Sequence, residues 1–248
     1  MIYLKNNSEI EKLYYAGQIV KETLLMLEEH IVPGVKTIEL DKMAEEFILS
    51  KNSKPGFKGL YGYPATLCTS IDDEVVHGIP NDRVLEEGQI IGIDVGSIYE
   101  DYYGDHAKTF CVGDKISQEK NELLKVTKEC LYIGIDQAKP NNRIGDIGFS
   151  IQKHAESLGY SVVRELVGHG IGKKLHEDPQ VPNFGNKGTG VLIESGMCLA
   201  IEPMINCGSS EVYTKNDNWT VCTKDEKPSA HFEHSIAVME KEIKILSG

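Results

Sequence analysis

A chain of 248 residues, 40% hydrophobic and 26% charged, has the size and balance of one globular domain spanning 1–248 with a sizeable core. Its formal charge of −12 excludes general nucleic-acid binding, which needs Lys and Arg to neutralise phosphates. No apolar run approaches the roughly 18 residues of a membrane span, and Met1-Ile2-Tyr3-Leu4-Lys5 lacks a secretory pattern, so a cytoplasmic protein without a membrane partner is expected.

Ser8-Glu9-Ile10-Glu11 has the form of a capping box, and apolar residues recur at helical spacing from there to Leu27. Pro33-Gly34 ends that helix, and Thr37 opens a second that runs to about Lys51. Lys54 to Pro80 reads as loops and a short hairpin, and Gln89 to Val112 as two strands joined by a polar, tyrosine-bearing turn. A third helix is predicted from about Ser117 to Lys139, stopped by Pro140, and a fourth from about Asp146 to Leu158. Strands dominate from Ser161 to Glu240. The six cysteines form no C-x-x-C pair and read as free thiols in a reducing compartment, which excludes a thiolate zinc site.

The order helix, helix, strands occurs twice, and an internal repeat underlies it. Pro33-Gly34-Val35-Lys36-Thr37-Ile38-Glu39 parallels Pro140-Asn141-Asn142-Arg143-Ile144-Gly145-Asp146. Val76-His77-Gly78-Ile79 parallels Gly168-His169-Gly170-Ile171. Gly88 stands six residues before Asp94 as Gly196 stands before Glu202, and Asp105-His106 parallels Glu233-His234. Each half therefore offers a histidine and two carboxylates at equivalent places.

Those carboxylates lie in apolar, strand-like runs. In Ile91-Gly92-Ile93-Asp94-Val95 the acid shares a face with Gly92, while the branched residues point the other way. Glu202 sits with Ala200, Glu233 with Ser235 and Ala237, and Asp105 with Ala107 and Thr109. Acids so placed are costly unless paired or bound to cations. Two divalent ions would neutralise Asp94, Asp105, Glu202 and Glu233, and a neutral His169 would add a nitrogen ligand. Alone, Asp94 would read as an ion-pair partner and His169 as a turn residue; the repeated set reverses both readings.

The segments Ile93-Asp94-Val95-Gly96, Gly104-Asp105 followed by Thr109, Gly168-His169-Gly170-Ile171-Gly172, Ile201-Glu202-Pro203-Met204 and Phe232-Glu233-His234 together resemble the type I methionine aminopeptidases over essentially the whole chain. The resemblance implies an α+β, pseudo-twofold pita-bread fold, with an antiparallel sheet core and two pairs of helices. It implies two divalent metal ions, Asp94 on one, His169 and Glu202 on the other, Asp105 and Glu233 bridging. Manganese, iron(II), cobalt and zinc all suit such a donor set. The implied reaction is co-translational hydrolysis of the N-terminal methionine from nascent polypeptides, by metal-activated water with Glu202 as general base. His77 would contact substrate near the scissile amide, and His176 would stabilise the tetrahedral intermediate. Phe57, Tyr63, Cys68 and Trp219 would line the methionine pocket, where rings and a soft thiol suit a thioether. The expected partners are nascent N-termini, with any transient ribosome contact made through the folded surface; a monomer is the default.

The chain departs from the family pattern at Leu60, Asp72, Leu166 and His231, the last standing where glutamine is usual. None is an expected metal ligand, so these positions bear on pocket shape and on the surroundings of the ligands. A proline-specific peptidase of the same fold would need a large N-terminal domain, for which a helix starting near Ser8 leaves no room. Type II methionine aminopeptidases carry a long insertion after the histidine ligand, and the short connections here exclude it. A metal-free binding protein on the same fold would have lost ligands, whereas all five stand here.

Overall fold

The computed structural model describes residues 1–248. Helix α1 (Asn7–Glu28) is capped by Asn6, whose side chain accepts from the Glu9 amide while the Glu9 carboxylate accepts from the Asn6 amide. The predicted box is therefore real but lies two residues earlier than Ser8, because Asn6 places Glu9 at the third helical position. Helix α2 (Thr37–Ser50) starts where Thr37 predicts, α3 spans Gln118–Gln137, and α4 (Ile144–Ser157) begins two residues before the expected Asp146.

The strands form antiparallel pairs throughout. In the first half, Ile90–Tyr99 pairs with Tyr102–Cys111 on one side and with Leu67–Ile71 and Lys54–Pro55 on the other. In the second half, Cys198–Ile201 lies between Gly168–Gly170 and His234–Val238, flanked further out by Glu177–Val181 and Ile243–Ile245. Two small three-stranded sheets complete the core, one of them containing Met204–Asn206 and Ser229–His231.

Each pair of helices covers one face of its sheet. Ile91, Ile93 and Val95 pack with Leu24 and Leu27 of α1 and Leu40 and Ile48 of α2. Leu199, Ile201, Ile236 and Val238 pack with Leu123 and Leu131 of α3 and Ile147 and Ile151 of α4. Burying each such side chain stabilises the fold by about 1.5–3 kcal/mol, so the apolar faces of both sheets are committed to helices. The alternate positions, which carry the acids, must then face the other way, toward the seam between the two halves.

The repeat is visible in detail. The Lys36 amide donates to Glu39 Oε2 (3.0 Å) and the Arg143 amide to Asp146 Oδ2 (2.7 Å), closing equivalent turns at the starts of α2 and α4. Lys36 bridges to Val84 as Arg143 bridges to Leu192. Gly88 and Gly196 both take left-handed backbone, φ 87° and 93°, at the turn that feeds each acid-bearing strand. This is the pseudo-twofold pita-bread architecture, α+β with two helix pairs around antiparallel sheets.

Candidate metal centre

Asp94 and Asp105 project from neighbouring strands, with Asp94 opposite Ala107 and Asp105 opposite Gly96. His169 occupies the middle of Gly168–Gly170, paired with Ala200 on one side and Gln180 on the other. Glu202 and Glu233 lie just outside their strands, one residue after Ile201 and one before His234, rather than within them as the alternation suggested. Glu233 is nonetheless fixed, its amide donating to the Ala107 carbonyl (2.9 Å) across the seam.

These side chains converge. Ligand-type atoms of Asp105, His169 and Glu233 all lie within 4.8 Å of one another. His169 Nε2 is 3.5 Å from Glu202 Oε1 and 3.7 Å from Asp105 Oδ2. All five predicted donors line one cavity of about 180 Å³. The His169 Nδ1 lies 2.9 Å from the Gly170 carbonyl, so the proton belongs on Nδ1 and the Nε2 lone pair faces the carboxylates.

Asp94 Oδ1, Asp105 Oδ1 and Glu233 Oε1 are buried without any hydrogen-bond donor from the protein. Burial pushes Asp94 up to about 7, with the Glu202 charge adding to the effect. Burial and mutual repulsion hold Asp105 and Glu233 well above the ordinary carboxyl range. Burial also raises Glu202, but His231 and His169 more than offset it, and this carboxyl ends below its usual value. Native proteins rarely leave buried acceptors unpaired. Three orphaned carboxylate oxygens around an imidazole lone pair form a donor set that fits divalent cations.

The cavity walls contain the predicted pocket residues. Phe57, Tyr63 and Cys68 are buried there, and Trp219 is half-buried. The Tyr63 hydroxyl is 2.9 Å from the Leu67 carbonyl and 3.0 Å from that of Gly78, so its ring, crossed edge-on by Trp219 at 5.0 Å, is what faces the cavity. Burial raises the Cys68 thiol far above its usual value and keeps it neutral. Phe57 rests against Gly96, where any Cβ would come within 2.5 Å of its ring.

His77 and His169, equivalent in the repeat, differ in backbone. His169 sits in a strand paired on both sides, whereas His77 follows the strand Glu74–Val76 in left-handed conformation (φ 60°). His77 also lines the cavity, and burial holds its pKa down. His176 stands at the rim, crossing the His169 ring edge-on at 4.5 Å and stacking on Tyr61 at 5.9 Å.

Residues 11–240 match metallopeptidase family M24. The chain belongs to that family. This M24 peptidase is 51% identical to the methionine aminopeptidase of Clostridium acetobutylicum over 248 residues, covering 100% of this chain and 99% of the relative. It is 48% identical to methionine aminopeptidase 1 of Bacillus subtilis, with 100% and 99% covered. The crystal structure of methionine aminopeptidase from Thermotoga maritima superposes with TM-score 0.98 at 44% identity, covering 100% of this chain and 99% of that one. The prolidase of Pyrococcus furiosus, 21% identical, shares the fold alone (TM-score 0.79); its alignment covers 99% of this chain but 65% of the prolidase.

Sequence reasoning missed several parts of this M24 site. Tyr61 and Leu175 line the cavity, the first exposed at its mouth and the second buried. Tyr61 stands beside Leu60 in a glycine-flanked turn, and only the folded loop brings it to His176. No helix is long and apolar enough to cross a membrane.

Proposed function

We propose that this M24 peptidase removes the N-terminal methionine from new polypeptides as a dinuclear-metal aminopeptidase. The observation that carries the reading is the cavity itself: all five donors line it together with Phe57, Tyr63, Cys68 and Trp219. Asp94 would hold one ion, His169 and Glu202 the second, with Asp105 and Glu233 shared between them. Bound there, such ions lower the pKa of water and polarise a carbonyl, and manganese, iron(II), cobalt and zinc are each compatible with the donors.

The protein groups supply the rest. The aromatic walls and neutral thiol receive an unbranched thioether side chain, with sulfur–ring contacts of about 1 kcal/mol each. The cavity of about 180 Å³ is small, so the methionine fills it and the remaining chain leaves past the rim. Glu202, kept ionised beside His231 and His169, accepts the proton of the attacking water and returns it to the leaving amine. His77, neutral and held by its turn, hydrogen-bonds the scissile amide; His176 at the rim stabilises the developing oxyanion. The full-length likeness to methionine aminopeptidases supports this substrate over an Xaa-Pro bond. A cytoplasmic monomer acting on nascent chains, touching the ribosome at most through its folded surface, completes the reading.

The test is release of methionine from a Met-Ala-Ser peptide by protein reloaded with defined metals, with Xaa-Pro peptides alongside. Glu202→Gln should lose most turnover while still binding metal, more weakly. Preference for Xaa-Pro peptides would overturn the substrate and leave the hydrolytic chemistry standing.

A further inference from the structure

His231 is 4% exposed, yet its Nε2 has no hydrogen-bond partner. Its backbone is unusually well held. The His231 amide donates to Thr109 Oγ1 (3.0 Å), and the same hydroxyl donates to the His231 carbonyl (2.8 Å). Thr109 belongs to the Tyr102–Cys111 strand that carries Asp105, so the other half of the molecule sets the position of this histidine. On its own sheet His231 is paired with Met204, two residues beyond Glu202.

The orphaned nitrogen lies 3.6 Å from Glu202 Oε2. The other oxygen, Oε1, faces His169 Nε2 at 3.5 Å. The Glu202 carboxylate is thus flanked by an imidazole on each oxygen, one from the expected ligand set and one outside it. The terminal torsion of a glutamate is broad, so the carboxylate plane is not fixed by its own rotamer. A closing of a few tenths of an ångström would make the His231 contact a full hydrogen bond and satisfy the buried nitrogen.

We propose that His231 is a positioning residue: its Nε2–H donates to Glu202 Oε2, fixing the carboxylate plane so that Oε1 is aimed at the metal site. The inference rests on Glu202 acting at that site as read above. It gives His231 a specific task at a position where the chain departs from the glutamine usual in the type I pattern, and a glutamine side chain there would also carry a donor. It also accounts for the double tether to Thr109, since a donor that orients a ligand must itself be held still.

The test uses the full chain and three forms: wild type, His231→Gln, and His231→Met, which fills similar space without a donor. The first readout is manganese affinity by titration calorimetry, which needs no turnover. The second is kcat and KM on Met-Ala-Ser peptide with metal saturating. His231→Met should weaken manganese binding by about tenfold or more and lower kcat by about 10–100-fold with little change in KM, whereas His231→Gln should stay within a few-fold of wild type. In a Glu202→Gln background, His231→Met should no longer change manganese affinity. The proposal is overturned if His231→Met matches wild type within about threefold in both readouts, or if His231→Gln is as damaged as His231→Met. Should His231→Met not fold, the glutamine form decides alone: rescue supports the proposal and loss overturns it. A chain that never releases methionine would defeat the proposed function, while the manganese series would still decide the role of His231.

Discussion

The rings of His106 and His234 stack 4.6 Å apart and 16° from parallel, each one residue after an expected bridging acid, Asp105 or Glu233. Successive side chains on a strand point to opposite faces, so the two histidines lie behind the sheet while the acids face the cavity. His106 Nδ1 reaches the Glu233 carbonyl at 2.5 Å, and His234 Nδ1 is 3.2 Å from Ser247 Oγ. Burial, then the charge of the partner ring, lowers His106 to about 3; burial, then Lys128 and Lys21, lowers His234 to about 4. Both rings are therefore neutral at neutral pH and stack without repulsion.

Replacing His106 by alanine removes the stack and the contact to the Glu233 carbonyl and leaves a void. The expected loss is roughly 1–3 kcal/mol of unfolding free energy by urea titration, with weaker metal binding because Glu233 is less firmly held. Unchanged stability and unchanged metal affinity together would show that the pair has no part in supporting the acids.

The metal-free protein should become less stable as pH rises from about 6.5 to 8.5. Over that range an unfolded carboxyl is already ionised, whereas Asp94, raised to about 7, and Asp105 and Glu233, raised further, still hold protons in the fold. The folded state binds more protons than the unfolded, so stability falls with rising pH. Unfolded histidines are half protonated at about 6.5, so His77, His106, His176 and His234, all lowered in the fold, oppose the slope at the start of this window and cease to do so above about 7.5, where the fall is steepest. Manganese should cancel the slope by replacing those protons. Melting curves of metal-free and manganese-loaded protein across the range give the comparison; parallel curves would contradict it.

Gly96→Ala should damage substrate binding more than folding. The new Cβ would overlap the Phe57 ring, 2.5 Å away at the nearest atom, and the ring can yield only by shifting within a cavity of about 180 Å³. KM for a methionyl peptide should rise by about tenfold, the scale of a lost methylene-sized fit in an apolar pocket, while metal affinity stays near wild type. A KM within twofold of wild type would show that Phe57 does not shape the pocket.

Asp41 is a buried acid with a structural task. From α2 its Oδ1 accepts from the amides of Thr66 (2.9 Å) and Leu67 (2.8 Å), anchoring the segment that leads to Cys68. Asp41→Ala strands two buried donors and should cost about 2–4 kcal/mol in a denaturant titration, with the rest of the site intact once folded. Loss of less than about 1 kcal/mol would mean that water replaces the carboxylate without penalty.

The helices, the two half-repeats and the five side chains that line the cavity as proposed metal donors were legible because each is written locally. Periodicity marks α1 to α4, and the alternation in Ile91 to Val95 separates the acid from the apolar face that must meet helices. What local patterns cannot carry is contact between distant segments. The cap of α1 moved from Ser8 to Asn6 because a side-chain-to-amide geometry, not composition, selects it. Leu175 and Tyr61 joined the cavity only through loops whose backbone the sequence does not specify.

The sequence by itself determined which residue types stand at equivalent places in two halves, since helical and strand periods assign each side chain to a face. Only the tertiary structure decided which of those faces meet. His77 and His169 occupy the same place in the repeat, yet one lies in a left-handed turn and the other in a strand held on both sides; both rings line the cavity, but only His169 joins the cluster with Asp105 and Glu233. His231 meets Glu202 for the same reason: Thr109, 122 residues away, fixes where that histidine can be. Through-space packing and hydrogen bonding set such distances, and chain-local patterns do not contain them.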